Sequence, residues 1–276
     1  MDRSIQNDWV TLRFNDDIPS VHNEMIAIES PFTVMLNGQE FATLVCSPTD
    51  IDDLLVGFLA SEGIIRSHDE ITSISIDKDR GFAYIELVKT LERNQGDHSK
   101  RFIGSCCGKS RQFYLKNDVK TAKTVNSQVL ISVNQCYSLM NQLQQASKHF
   151  KETGGVHNAA LATVNDILTI RTDIGRHNAL DKIYGDIIKN HISLKNKVIV
   201  FSGRISSEVL LKVSKIGIGI LLSKSAPSDL ALNLANDLGI TTIGFIRGDK
   251  MNVYTHPRRI LEAKDDKTSM YINTPL

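Results

Sequence analysis

No stretch of this 276-residue chain is apolar for long enough to span a bilayer, and no basic segment followed by an apolar one opens it. Neither a membrane span nor a secretory leader is expected, so the sequence reads as cytoplasmic. An excess of one charge is missing too. Lys and Arg number 32 against 31 Asp and Glu, a formal net charge of +1. No global field therefore favours nucleic acid, and any anion site must be local. Cysteine is scarce: four residues in a chain this long do not make a disulfide scaffold, and in a reducing compartment they raise the question of thiol chemistry instead. Repeats and low-complexity tracts are absent. What is present, 41% hydrophobic and 23% charged residues, is ordinary globular usage, enough for one large domain or two modest ones.

Two regimes divide the chain near residue 130. Up to about Leu87 short strands dominate: Trp9–Phe14, Glu24–Ile28, Phe32–Leu36 and Phe41–Val45, with Asn37-Gly38 as a hairpin turn and a second hairpin from Ile71 to Leu87. One helix interrupts them, Asp50 to Glu62, which Thr49 or Asp50 can cap and Gly63 can end. The polar run Glu92 to Arg101 reads as an exposed loop. From Asn134 to Thr153 a long helix is expected. Strands (Ala159–Val164, Ile167–Ile170, Lys197–Phe201, Ile218–Ser223, Ile240–Phe245) then alternate with helices (His177–Lys189, Ser206–Ile216, Ser228–Leu238), as in an α/β layer sandwich. The fold class expected is α+β, a β-rich domain over 1–130 followed by an α/β domain over 131–276.

Three segments carry chemistry. The first, Arg101-Phe-Ile-Gly104-Ser-Cys106-Cys107-Gly108-Lys109-Ser110-Arg111, is one residue short of a phosphate loop and is not followed by a clear helix. Its cations would lower a thiol pKa, which suggests a reactive cysteine; the alternative is two small core residues, the reading given to Cys46 and Cys136. Adjacent Cα atoms about 3.8 Å apart make a disulfide between Cys106 and Cys107 strained. Scattered histidines and no C-x₂-C spacing argue against a protein-ligated metal. The second segment, Asp173-Ile-Gly175-Arg176-His177-Asn178, lies where a strand gives way to a helix. It is either an anion site or a plain turn capped by Asp173. The third is a set of turns after strands, around Arg204, Lys224 and Phe245-Ile246-Arg247-Gly248-Asp249-Lys250, where ligands of open α/β sheets collect. Their local positive field suits a phosphorylated ligand, and solvated loop charge is the alternative.

Cys107-Gly-Lys, Gly155-Val-His157-Asn-Ala, Asp173-Ile-Gly-Arg-His-Asn-Ala-Leu-Asp-Lys182, Ser202-Gly-Arg-Ile-Ser-Ser-Glu208, Ser223-Lys-Ser-Ala-Pro227, Gly244-Phe-Ile-Arg-Gly248 and Asn252-Val-Tyr-Thr-His-Pro257 together resemble the FdhD family, accessory sulfurtransferases of formate dehydrogenase. The resemblance runs from the first strands to His256. It implies a sulfurtransferase that takes sulfur from a cysteine desulfurase as a cysteine persulfide. The sulfur goes to the molybdenum cofactor, bis-molybdopterin guanine dinucleotide, which the formate dehydrogenase apoenzyme needs. Cys107 carries over as the persulfide residue and Cys106 as a helper. Phe245, Ile246, Arg247, Gly248, Asp249 and Lys250 carry over as the cofactor-binding stretch; Asp173, Arg176 and His177, from the candidate anion site, are the further cofactor-binding candidates. A homodimer and a cytidine-deaminase-like second half are also implied. Gly155-Val-His157-Asn158 and Ser202-Gly-Arg204 stand where deaminases hold their acid and zinc thiolates, so deaminase chemistry lacks its groups. The rival readings are a cofactor-binding chaperone that transfers no sulfur and, more remotely, a nucleotide hydrolase.

Overall fold

The computed structural model describes residues 5–89, 101–103 and 122–263. Most of the expected reactive loop, Cys106 and Cys107 included, lies outside them. The fold is mixed α+β and built on three sheets.

The first sheet is a two-stranded ribbon of β1 (Gln6–Asn15) and β2 (Ile18–Ala27) in unbroken antiparallel register. The strand expected from Glu24 thus begins six residues earlier. Pro19 is accommodated because each strand of a two-stranded ribbon is an edge, where a missing N–H is tolerated. The second sheet combines β3 (Ser30–Leu36), β4 (Gln39–Cys46), β5 (Ile71–Asp77), β6 (Phe82–Leu87) and β7 (Arg101–Ile103) in the order β5-β6-β3-β4-β7. Asn37 and Gly38 both take positive φ between β3 and β4, as a tight hairpin requires. Phe32, Val34 and Leu36 alternate inward with Ala42, Leu44 and Cys46 to form a floor for α1 (Ile51–Ser61). Asp50 stands at the start of α1 without capping it; its carboxylate lies 3.8 Å from Arg171 Nε instead.

The third sheet follows α2 (Val133–Ala146) and α3 (Lys148–Thr153). It takes β8 (His157–Ala162), β9 (Ile167–Asp173), β10 (Val198–Phe201), β11 (Ile220–Ser223), β12 (Thr241–Arg247) and β13 (Lys250–Val253) in the order β13-β12-β11-β10-β8-β9. Between its strands run α4 (Arg176–Lys189), α5 (Ser207–Ile216) and α6 (Asp229–Leu238). Alternate residues sort into two cores. Leu161, Ile199 and Leu221 meet α4, α5 and α6 on one face, while Ala160, Val200 and Leu222 meet Leu139, Met140 and Leu143 of α2 on the other. The result is the expected layer sandwich.

Ser206 accepts the Val209 N–H at 3.4 Å at the head of α5, and Gly217 and Gly239 end α5 and α6 in the left-handed region. The single helix expected from Asn134 to Thr153 is two. Ser147 breaks it at φ −79° and ψ 56°; its hydroxyl donates back to Leu143 O and accepts Asn158 Nδ2–H at 3.1 Å. Both sides of the molecule meet where α1 crosses α4. A Cβ on Gly57 would sit 1.7 Å from Asp181 O and one on Gly185 1.9 Å from Asp53 O, so backbone touches backbone there and only glycine fits. Among the described residues no helix is long and apolar enough to cross a membrane.

Candidate functional site

Because β8 runs antiparallel to β10 while β10, β11 and β12 are parallel, one edge of the third sheet gathers the start of β8 and the ends of β9, β10, β11 and β12. Short polar contacts lace this edge together. Asn158 and Ser202 exchange bonds, Asn158 N–H to Ser202 Oγ at 2.9 Å and Ser202 N–H to Asn158 O at 3.0 Å. Ser225 Oγ–H donates to Ser202 O at 3.0 Å, and Phe245 N–H donates to Ser225 O at 3.3 Å. Thr172 Oγ1–H reaches Asn158 Oδ1 at 2.6 Å from β9. The motifs noticed separately in the sequence are therefore consecutive steps along one rim.

At the β9 end of the rim the Asp173–Lys182 motif divides in two. Asp173 is fully buried. Its carboxylate accepts Lys182 Nζ at 2.8 Å, Ser47 N–H at 3.0 Å, Gly175 N–H at 2.8 Å and Asn178 Nδ2–H at 3.0 Å. Burial pulls this carboxyl upward against the ammonium and the N–H donors. Expected as a cofactor-binding residue, Asp173 is engaged inward on every side, with no oxygen turned to the rim. It pins the end of β4 to the start of α4, a bond reinforced by Ile174 N–H to Ser47 Oγ at 3.0 Å and Asn178 Nδ2–H to Val45 O at 2.9 Å. Asp181 is buried as well, accepting Ser61 Oγ–H at 2.6 Å and Lys212 Nζ at 2.5 Å.

Arg176 and His177 occupy the first turn of α4. His177 Nε2 lies 3.1 Å from Glu208 Oε2 at the head of α5. Burial depresses the His177 pKa, Lys212 and Arg176 push the same way, and the Glu208 bond opposes them; Glu208 is held low chiefly by that bond. His157, opening β8, is likewise depressed by burial and then by the charges of Arg176 and His177. Gly203 lets Arg176 approach, since a Cβ there would come within 2.8 Å of the Phe201 ring and 3.3 Å of Arg176 Cβ. His157 and Glu208 stood within quoted motifs but were not selected as site residues. Their signal was the company of Arg176 and His177, which only the pairing of His157 with Asp173 across β8 and β9 brings out.

At the β12 end, Phe245, Arg247, Gly248, Asp249 and Lys250 are all exposed, whereas Ile246 is buried in the core between them. Phe245 holds φ at +52°, a strained value for an aromatic residue, at a break in the β12–β13 register. The strain turns its ring outward, and the Arg247 guanidinium carbon lies 5.5 Å from the ring centroid. Tyr137 Oη–H donates to Asp249 O at 2.7 Å and fixes the turn against α2. Lys224 is tied to Gln144 Oε1 at 3.1 Å.

Cys46 and Cys136 are core residues. Burial lifts both thiols, Cys136 to about 12 and Cys46 further, with the Asp173 charge adding to the latter. Among the described residues no group of three or more His, Cys, Asp or Glu could hold a metal ion.

Residues 27–261 match the model of the FdhD/NarQ family. The chain is 56% identical over 246 residues to the sulfur carrier protein FdhD of Bacillus subtilis (strain 168), covering 89% of this chain and 94% of that one. It is 48% identical over 264 residues to the sulfur carrier protein FdhD of Staphylococcus aureus (strain MRSA252), covering 96% and 100%. A crystal structure assigned as a formate dehydrogenase accessory protein from Desulfotalea psychrophila superposes with a TM-score of 0.76 at 25% identity, covering 94% of this chain and all of that one. With the match spanning most of its length and the same architecture recurring in that structure, the chain belongs to the FdhD/NarQ family.

Proposed function

We propose that the protein is a cytoplasmic, homodimeric sulfur carrier in the maturation of a formate dehydrogenase. In this reading the Cys107 thiolate attacks the outer sulfur of a cysteine desulfurase persulfide. The S–S bond to the desulfurase breaks, its cysteine leaves as thiolate, and Cys107 becomes the persulfide. The outer sulfur then passes to bis-molybdopterin guanine dinucleotide, bound as substrate along the rim of the third sheet: the Cys107 S–S bond breaks, Cys107 leaves as thiolate, and the reduced molybdenum of the substrate supplies the two electrons that bring the sulfur to the sulfide level. Residues 1–130 present the cysteines and residues 131–276 the cofactor.

The observation that carries this reading is the course of β7. It runs parallel to β4, with Ile103 beside Leu44, and three residues after Leu44, just past the end of β4, Ser47 is bonded to the Asp173–Ile174 turn. Cys107 follows Ile103 by four residues, a tether of at most about 14 Å. A tether that short supports a Cys107 thiol that works near the corner of the rim where Arg176 and His177 begin α4. The rim itself is long. Four strand spacings separate β9 from β12, roughly 19 Å, which suits an elongated dinucleotide better than a compact substrate. Arg247 over Phe245 gives its far end a cation for phosphate and an aromatic face for a base.

A chaperone that merely binds the cofactor would need the rim and not the thiol, and activation of the dehydrogenase separates the two. In a strain lacking its own carrier, Cys107→Ala should abolish formate dehydrogenase activation while Cys106→Ala retains a measurable fraction. Full activation by Cys107→Ala would favour the chaperone.

A further inference from the structure

Lys224 stands between the two ends of the rim, on a turn that is pinned from both sides. Toward β10, its N–H donates to Phe201 O at 3.2 Å, and Ser223 Oγ–H donates to Gly203 O at 2.8 Å while accepting Ser225 N–H at 3.0 Å. Toward β12, its carbonyl accepts Arg247 Nε–H at 3.4 Å. With the backbone fixed, the side chain is placed by α2. Ser147 ends that helix, and three residues earlier Gln144 offers Oε1 to the Lys224 ammonium at 3.1 Å. By contrast, Arg171 is matched by the carboxylates of Asp53 and Asp186, Lys182 by that of Asp173 and Lys212 by that of Asp181. Among the described residues neither Lys224 nor Arg247 has a carboxylate partner. A neutral amide orients an ammonium without cancelling its charge, so both cations stay available to an anion at the rim.

We propose that Lys224, oriented by Gln144, binds the second phosphate of a nucleoside diphosphate whose first phosphate meets Arg247. This deepens the proposed function and rests on its placing of a nucleotide along the rim. Spacing supports a diphosphate. β11 and β12 are neighbours, so the turns that follow them stand about 4.8 Å apart, and cations on adjacent strand ends match two linked phosphates better than one. Direction follows as well. Arg247 touches both of its neighbours, with Nε on Lys224 O and the guanidinium carbon 5.5 Å from the Phe245 ring centroid, which sets the order ring, Arg247, Lys224 from β12 toward β9. A base on the ring, a first phosphate on Arg247 and a second on Lys224 point the remainder of the substrate toward Arg176 and His177, where the proposed function sets the sulfur transfer. Lys224 is then a specificity-determining residue, which separates a nucleoside diphosphate from a monophosphate, and Gln144 is its positioning residue.

Calorimetry of the full chain with GDP and with GMP tests it. The wild type should bind GDP about tenfold more tightly than GMP, the worth of one charge-assisted contact. Lys224→Met, which keeps the length of the side chain without its charge, should weaken GDP about tenfold, leave GMP within about twofold and so erase the preference, while Lys224→Arg keeps it. Gln144→Glu, whose carboxylate would pair with the ammonium, should erase the preference too, whereas a merely structural role for Gln144 would shift both nucleotides alike. Lys224 and Gln144 are only half-buried, and unchanged thermal unfolding would show that the variants still fold. A wild type that binds GDP and GMP alike, or a Lys224→Met variant that retains the preference, overturns Lys224 as the second-phosphate residue and leaves the rim as a nucleotide site. A preference that survives in Gln144→Glu overturns the positioning by Gln144, and a wild type that binds neither nucleotide overturns both the proposal and the reading on which it rests.

Discussion

Asp173 and His177 lie four residues apart and have opposite tasks. The carboxylate is sealed among Lys182, Ser47, Gly175 and Asn178, and removing its ammonium partner would strand a buried charge. The imidazole sits at the rim against Glu208, near His157 and Arg176. Both His157 and His177 are held neutral, with folded pKa values below the ordinary 6.5 of an unfolded chain. Between the unfolded and folded values the unfolded state binds more protons, so stability must fall as pH drops through that window. Glu208, held low, adds to the same trend at more acid pH. The midpoint of urea unfolding should therefore fall from about pH 7.5 to pH 5.5, and fall less steeply in His177→Gln, which keeps a polar group beside Glu208 but cannot titrate. An equal slope in wild type and variant would mean that His177 is not held neutral. Sequence alone does not separate the anion-site and plain-turn readings of this segment, because spacing places residues on a turn without saying which ones the neighbouring β4 will cover. Arg176 and His177 are half-buried at the rim, whereas Asp173 and Lys182 are covered.

Elements were legible where their signals are local. Asn37-Gly38, read as a hairpin turn, acts within a few residues, as do the Ser206 cap and the closing Gly217 and Gly239. The break at Ser147 was not legible, because its partner Asn158 arrives from β8. The turn joining β12 and β13 was legible for a third reason: charge and glycine crowd the end of a strand. Its distinctive feature, an aromatic residue at positive φ beneath an arginine, comes from the register break and had no sequence signal. A charge-assisted contact from Arg247 to phosphate is worth about 1.5 to 3 kcal/mol, one to two decades of affinity. Arg247→Ala should weaken binding of GDP, the nucleotide fragment of the proposed substrate, by about that factor in calorimetry. Equal affinity would remove the β12–β13 turn from the site.

On the scale of the molecule, the two halves distinguished by their pattern of strands and helices are joined by many contacts, three of which bear on the site. α1 and α4 cross through Gly57 and Gly185, β4 is pinned to Asp173, and Lys215 Nζ reaches Ser61 O at 2.6 Å. This junction fixes the end of β4, and with it the start of the chain toward Cys107, against the rim that holds Arg176 and His177. In the proposed function, loading sulfur and presenting the cofactor fall to different halves of the chain. The most direct test is the intact mass of the protein after incubation with a cysteine desulfurase and cysteine, with fragmentation to locate the added sulfur. The wild type should gain sulfur on Cys107, and Cys107→Ala should gain none. Sulfur loaded equally onto Cys107→Ala would contradict the account.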